Sequence, residues 1–424
     1  MQITFRMGLL SAAGMVEYQL IMRKGGALMR RFSLHRFVSV IATAAGEFWQ
    51  RADLLLLGLC TVAAIFSIVI VSSTTAYMGA QHFIIIQSVA LLIGIVLYIV
   101  FTFLDIDIIA ERREILLVFS LLVIATLRVW GGSGGTVNRS WLSFSWLPFS
   151  IQPAEICKIT FIIILAKTMS IYRNKISSIL TLAQMIVILA LLVATILAVS
   201  GDTGVALPYV FIFVVMAYVG GVNIGWFALA AGGAIVAFPI IWSEFLRDDQ
   251  KNRILMLFDP TMDPDGGGVR FDTVRSLISL RGGGMTGQGL YNGAQTQSGG
   301  IAAQHTDFVF SAIGEELGLL GCLAVLLLLL FIIIRCIYVG VKSGNYMNRL
   351  ICIGIAGMLT FQVAVNVGMC IGVLPVIGLT LPFISYGGSS IVTMFAAMGI
   401  VSGIRMRPAP DSTARYIRPN LGMI

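Results

Sequence analysis

Histidine is almost missing from this chain of 424 residues: there are three, and no two stand at metal-ligand spacing. A dedicated His/Cys metal site is therefore not expected. The six cysteines (Cys60, Cys157, Cys322, Cys336, Cys352, Cys370) fall within or at the ends of apolar runs, and none forms a Cys-x-x-Cys pair. They read as buried reduced thiols, which excludes a disulfide framework and a zinc centre. Charge is scarce too: Asp, Glu, Lys and Arg make up 11% of the chain, where a soluble domain has roughly 25%. With 58% apolar residues and a mean hydropathy of +0.95, the composition describes a polytopic membrane protein. No Walker-type phosphate loop occurs. The net charge of +8 is not read as a nucleic-acid signal. The excess sits in short loops and tails beside apolar runs, where it sets membrane orientation.

What is present is a succession of apolar runs, at about 53–73, 82–103, 114–130, 154–171, 179–199, 203–220, 223–243, 308–335, 348–372 and 384–404. Each is near the roughly 20 residues that cross hydrocarbon. The expected fold is an all-α polytopic membrane protein of about ten transmembrane helices over residues 51–405. A large extracellular loop, 244–307, separates helices seven and eight. Residues 1–50 do not read as a cleaved leader, because Arg6 and Glu17 interrupt the apolar stretch and no small-residue cleavage site follows. They read as a basic amphipathic segment (Arg23, Lys24, Arg30, Arg31, Arg36) on the cytoplasmic side.

An even number of spans puts both termini on one side. The loops on that side hold Arg112, Arg113, Arg173, Lys175, Lys342 and Arg349, and the C-terminal end adds Arg405 and, in the 406–424 tail, Arg407, Arg415 and Arg418. Opposite loops after the first and ninth spans carry no Lys or Arg. Both termini are therefore expected in the cytoplasm, and the large loop outside.

Five polar groupings interrupt the apolar chain. Asn138-Arg-Ser-Trp141 precedes Gln152-Pro-Ala-Glu155-Ile-Cys-Lys158. Pro153 suits a helix start, and Glu155 and Lys158 share a face. Such a pair near hydrocarbon either faces a polar cavity or snorkels to the interface. Asp202, in Gly201-Asp-Thr-Gly204, caps the next helix or helps frame an external cavity. The large loop carries Asp259 and Asp263, each before a proline, then Gly266-Gly-Gly268 and Arg270, Arg275 and Arg281. These suit phosphate recognition or an ordinary solvated loop. Gln304-His-Thr-Asp-Phe308 leads into a helix with Glu315 and Glu316, at least one of which should face the interior. His305 there suits capping or loop anchoring. Pro375-Val-Ile-Gly-Leu-Thr-Leu-Pro382-Phe-Ile-Ser-Tyr-Gly-Gly-Ser-Ser390 is broken backbone that lines a cavity or packs helices closely.

In this order the pieces resemble the SEDS family of bacterial cell-wall polymerases, the FtsW/RodA/SpoVE proteins, from about residue 50 to 405. The signature Asn366 … Pro375-x-x-Gly378 … Phe383-Ile-Ser-Tyr-Gly-Gly-Ser-Ser390 carries most of the resemblance. His305-Thr-Asp-Phe … Gly314-Glu-Glu-Leu-Gly318 and Gln152-Pro-Ala-Glu-x-x-Lys158 add to it. The resemblance implies a plasma-membrane glycosyltransferase that polymerises lipid II and works with a class B penicillin-binding protein. It also implies an essential aspartate in the second Asp-Pro of the external loop, here Asp263. The chain departs in placing Phe271 where the family commonly has Tyr and Arg275 where it has Gln, and in shortening Asn-Gly-Ala-x-Arg-Trp to Asn138-Arg-Ser-Trp141.

On that implication Asp263 is the general base for the acceptor hydroxyl. Arg139, Arg270 and Arg275, with His305, bind substrate and diphosphate, or a divalent cation (Mg2+ or Mn2+) supplies the charge. Glu155, Lys158, Asp202, Ser385 and Ser389 shape the cavity. The expected partners are lipid II, the growing lipid-linked glycan, the penicillin-binding protein and membrane lipids, with no nucleic acid. A lipid-linked precursor flippase and a non-catalytic scaffold are the alternatives.

Overall fold

The computed structural model describes residues 43, 45–132, 139–144, 147, 149–245, 248–258 and 271–407. It divides into two units, Met1–Ala52 and Asp53–Ile424. In the first, residues 45–51 are helical, and the Ala52 N–H closes the last turn on the Phe48 carbonyl at 2.9 Å. The basic segment expected before it and the tail from 408 onward lie outside the described residues.

The second unit follows the expected spans in order. Helices α1 (Leu54–Thr74) and α2 (Gln81–Phe103) are followed by the short α3 (Ile106–Glu111), then α4 (Arg113–Ala125) and α5 (Leu127–Trp130). After a two-stranded antiparallel pair, β1 (Gly131–Gly132) with β2 (Trp141–Leu142), come α6 (Pro153–Ile171), α7 (Ile179–Ser200), α8 (Thr203–Val219) and α9 (Ile224–Ile240). The large loop contains α10 (Asp248–Phe258), α11 (Phe271–Gly283) and α12 (Ala294–Gln297). Helices α13 (Val309–Lys342), α14 (Tyr346–Cys370) and α15 (Gly388–Met406) complete the bundle. Among the described residues, six helices are long and apolar enough to cross a membrane, and α8 and α9 are shorter apolar helices.

Boundaries depart from expectation where local chemistry intervenes. The third span divides at Thr126, whose hydroxyl bonds back to the Val123 carbonyl. The eighth runs on to Lys342, and the last begins only at Gly388, after the Pro- and Gly-containing segment. The expected polar loop is largely helical, because its apolar and polar residues are spaced for two amphipathic helices.

Burial sorts the helices into layers. In α15, 78% of the most apolar stretch is buried, against 22% in α7, so α15 is central and α7 peripheral. Helix α6 is buried along nearly its whole length, despite Glu155 and Lys158. Helix α2 lies against α15, with the Thr102 hydroxyl reaching the Gly399 carbonyl. Alternate helices run in opposite directions, so α1, α7 and α14 end where α2, α6, α8, α13 and α15 begin. The candidate site lies at that end.

Candidate active site

Helix α6 begins with Pro153 at its first turn, where a missing N–H costs nothing. The N–H of Gln152, just before it, donates to Ser389 Oγ at 3.1 Å, which ties α6 to the start of α15. Glu155 and Lys158 face inward and pair at 2.7 Å, with both side chains almost wholly buried. Glu155 Oε2 has no protein partner among the described residues. The pair therefore does not snorkel. It is a buried ion pair with one acceptor lobe still open, one turn below the polar end of the bundle.

Asp202 joins α7 to α8. Gly201 closes α7 in a left-handed conformation, and the Asp202 carboxylate accepts from the Gly204 and Val205 N–H groups as the N-cap of α8. Ser140, from the segment before α6, donates to the second carboxylate oxygen at 3.2 Å. A Cβ on Gly204 would stand 2.4 Å from the Ile377 carbonyl, so this turn lies directly against the segment between α14 and α15.

That segment is fixed from several sides. Gln87, an amide two turns into α2, donates to the Ser385 carbonyl and accepts from the Gly387 N–H. Ser67 of α1 donates to the Ile384 carbonyl. Three consecutive carbonyls of the chain before α13 are held in turn, two by this segment and one by Asn366 of α14. His305 accepts from the Tyr386 N–H at 2.8 Å, Thr306 from Ser385 Oγ at 2.5 Å, and Asp307 from Asn366 Nδ2 at 2.8 Å. The backbone carrying Asp307 is thus bonded at each residue.

Asp307 is the acid that sequence reasoning missed. Burial pushes its carboxyl up to about 6, Asp272 and Asp202 reinforce the shift, and Thr306 and Arg253 oppose it. Those groups come from the α7–α8 joint, α10, α11 and the 301–308 turn, so the polar end gathers charge from four parts of the chain. Arg253 is anchored there by its bond to the Val376 carbonyl at 2.8 Å. Gln87 was also missed, although a lone amide within an apolar span is itself a signal.

The other expected residues divide. Arg139 is exposed on the approach to β2. Arg275 is half-buried, bonds Gln295 Oε1 at 2.8 Å and covers the Phe271 ring, so its protein contacts hold the large loop. His305 packs among Phe83 and Tyr386. Burial lowers its pKa, which leaves the ring neutral at pH 7, and Nδ1 has no partner among the described residues. It brings shape and a polar edge to the site rather than positive charge. Ser385 and Ser389 both bond backbone at this end. Asp259, Asp263 and Arg270 lie outside the described residues. Among the described residues no group of three or more His, Cys, Asp or Glu is arranged to hold a metal ion.

Glu315 and Glu316 both face inward. Glu315 accepts from the Gln295 and Thr296 N–H groups and the Thr296 hydroxyl. Glu316 accepts from Ser73 Oγ and Gln297 Nε2. The two acids clamp the large loop to α1 and α13.

The profile of the FTSW_RODA_SPOVE family, described as a cell cycle protein, matches residues 49–408. The chain belongs to the FtsW/RodA/SpoVE family. It is 30% identical over 291 residues to the peptidoglycan glycosyltransferase MrdB of Escherichia coli K12, covering 68% of this chain and 76% of that one. It is 30% identical over 372 residues to the probable peptidoglycan glycosyltransferase FtsW of Geobacter metallireducens, covering 85% and 97%. Among solved structures it is similar to a chain of a peptidoglycan synthase complex that coordinates polymerization and crosslinking (TM-score 0.70, 29% identity, 85% and 99% covered). The rod shape determining protein RodA of Thermus thermophilus gives a TM-score of 0.63 at 27% identity, with 86% and 99% covered. The FtsW/RodA/SpoVE match thus takes in every helix from α1 to α15, and with them the buried Glu155–Lys158 pair and the stitched 305–307 carbonyls.

Proposed function

We propose that the protein is a peptidoglycan glycosyltransferase that joins lipid II into glycan strands at the outer face of the bacterial plasma membrane. The observation that carries this reading is the family match across the whole helical bundle. The polar end described above supports it, because chemistry between two lipid-anchored substrates needs polar groups at a membrane surface. The acceptor sugar hydroxyl attacks the anomeric carbon of the lipid-linked donor. A carbon–oxygen bond forms, the bond to the polyprenyl diphosphate breaks, and the hydroxyl proton passes to a base. Asp263 is that base, a role worth about 10²–10⁴-fold. Arg139 and Arg270 supply charge to the leaving diphosphate, alone or with a divalent cation. The helices flanking residues 259–270 suit this reading. Arg253 of α10 bonds Val376, and Thr273 and Leu277 of α11 lie beside Gly372.

The Glu155–Lys158 pair, Asp202, Ser385 and Ser389 act by holding the cavity, and Arg275 by holding the loop above it. Residues 51–405 form the membrane domain, 244–307 its external loop, and 1–50 and 406–424 basic cytoplasmic ends. A class B penicillin-binding protein is the partner, in keeping with the synthase complex that the chain resembles.

The test is lipid II polymerisation in proteoliposomes, with and without a divalent cation and a class B partner. Wild type should make glycan strands. Asp263→Asn should lose them while inserting and folding normally, and Asp259→Asn should be milder. Strand synthesis by Asp263→Asn at the wild-type rate would remove the assignment. Transfer of lipid II across the bilayer without strands would identify a flippase.

A further inference from the structure

The end of the bundle opposite the candidate site carries a second polar cluster. Asp53, the N-cap of α1, is completely buried and meets two guanidinium groups. Arg335 of α13 approaches through Nε at 2.9 Å, and Arg405 of α15 through Nη1 at 2.9 Å. The backbone of Asp53 is fixed as well, its N–H on Ser402 Oγ and its carbonyl on the Tyr98 hydroxyl. Further along α13, Tyr338 and Lys342 share the face of Arg335, at helical spacing of three and seven residues. The Arg335 guanidinium and the Lys342 ammonium each lie 5.0 Å from the Tyr338 ring centroid.

Among the described residues the charges here do not balance. One carboxylate meets two arginines, with a lysine alongside. Among the described residues Asp53 is the one carboxylate paired with Arg335 or Arg405, and most N–H donors of both guanidinium groups have no protein acceptor. Arg407, nearby in sequence, behaves differently: its amino groups are taken up by the last carbonyls of α2, at Phe103 and Leu104. The unspent donors of Arg335 and Arg405 border an apolar surface, because Ile334, Ile337 and Val341 of α13 are exposed. Donors in excess, placed where an apolar helix face meets water, need an anion that itself stands at that depth. A phosphodiester headgroup does, and its oxygens match the guanidinium fork.

We propose that Arg335, Lys342 and Arg405, held by buried Asp53 and beside Tyr338, form a binding site for an anionic phospholipid headgroup in the leaflet opposite the candidate active site. The full-length protein in neutral detergent is titrated with phosphatidylglycerol, with phosphatidylcholine, and with inorganic phosphate. Retained lipid is read by native mass spectrometry and stability by thermal unfolding. Phosphatidylglycerol should be retained and should raise the unfolding temperature, and the other two should not. Lys342→Gln, which leaves the Asp53 pairs untouched, should weaken retention about fivefold, and Lys342→Gln with Arg405→Gln should abolish selectivity over phosphatidylcholine. Unchanged retention in Lys342→Gln and in the double variant would overturn the site. So would equal stabilisation by inorganic phosphate, which would assign the donors to a free anion. If the double variant does not fold, Lys342→Gln alone decides. Neither readout depends on glycan synthesis, so failure here is separate from failure of the proposed enzyme.

Discussion

Asp307 shows how a carboxylate can be held in an unfavourable place. Its backbone is bonded through the carbonyls of residues 305, 306 and 307, so the side chain cannot withdraw from burial or from Asp202 and Asp272. Its pKa stands near 6 in the folded protein, above the ordinary carboxylate value of about 3.9. Below about pH 4 the group is protonated in both folded and unfolded chains and imposes no penalty. Between about pH 4 and 6 the unfolded chain gives up its proton while the folded chain keeps it, so stability falls across that window and is level above it. Asp307→Asn should therefore match wild type at pH 4 and exceed it above pH 6, by at most about 3 kcal/mol. Thermal unfolding of both proteins across that pH range checks the sign, and a constant difference would mean that the charge is not what matters. At this scale the sequence was only partly legible. The capping role of Asp202 could be read from Gly-Asp-Thr-Gly alone, since a helix break and a short acid define it. Asp307 could not be singled out, because its partners Asn366 and Ser385 lie 59 and 79 or so residues from it or its neighbour.

Among elements, the joint between α11 and α13 carries the most consequence for the large loop. A Cβ on Gly283 would stand 1.8 Å from the Gly314 carbonyl, so the two backbones meet with no side chain between them. Glu315 and Glu316 follow Gly314 directly and bind the loop after α11 at residues 295–297. Gly283→Ala should push α11 away from α13, cost about 1–3 kcal/mol, and increase proteolysis within 284–300. Limited proteolysis beside wild type measures this, and an unchanged digestion pattern would show that the contact yields without cost. The apolar runs revealed the long helices because lipid demands unbroken apolar length. They could not reveal α10 and α11, whose polar faces make them look like loop, nor the division at Thr126.

For the whole molecule, the positive-inside pattern and the alternation of helices agree on two ends of different character. The six native cysteines are all buried, so introduced thiols can be labelled against a low background. Ser298→Cys, exposed in the large loop, should react with an impermeant maleimide on intact cells, and Lys175→Cys, exposed between α6 and α7, should react only after lysis. The reverse pattern would invert the orientation and place the candidate site in the cytoplasm. Order and spans were thus open to sequence reasoning, because hydrophobic length is local; loop charge predicts the orientation that the labelling measures. The stitching of the 305–307 carbonyls and of Gln87 was closed to it, because those bonds join segments far apart in the chain.

Helix α15 has one more implication. It is the most buried of the six long apolar helices, yet it follows all the others in the chain. A ribosome delivers spans in sequence, N-terminal first. The earlier spans must therefore wait in the bilayer without it, and Gln87 and Gln152 must wait for Gly387 and Ser389. The bundle closes from the inside, and its polar end comes into being only when the last span arrives.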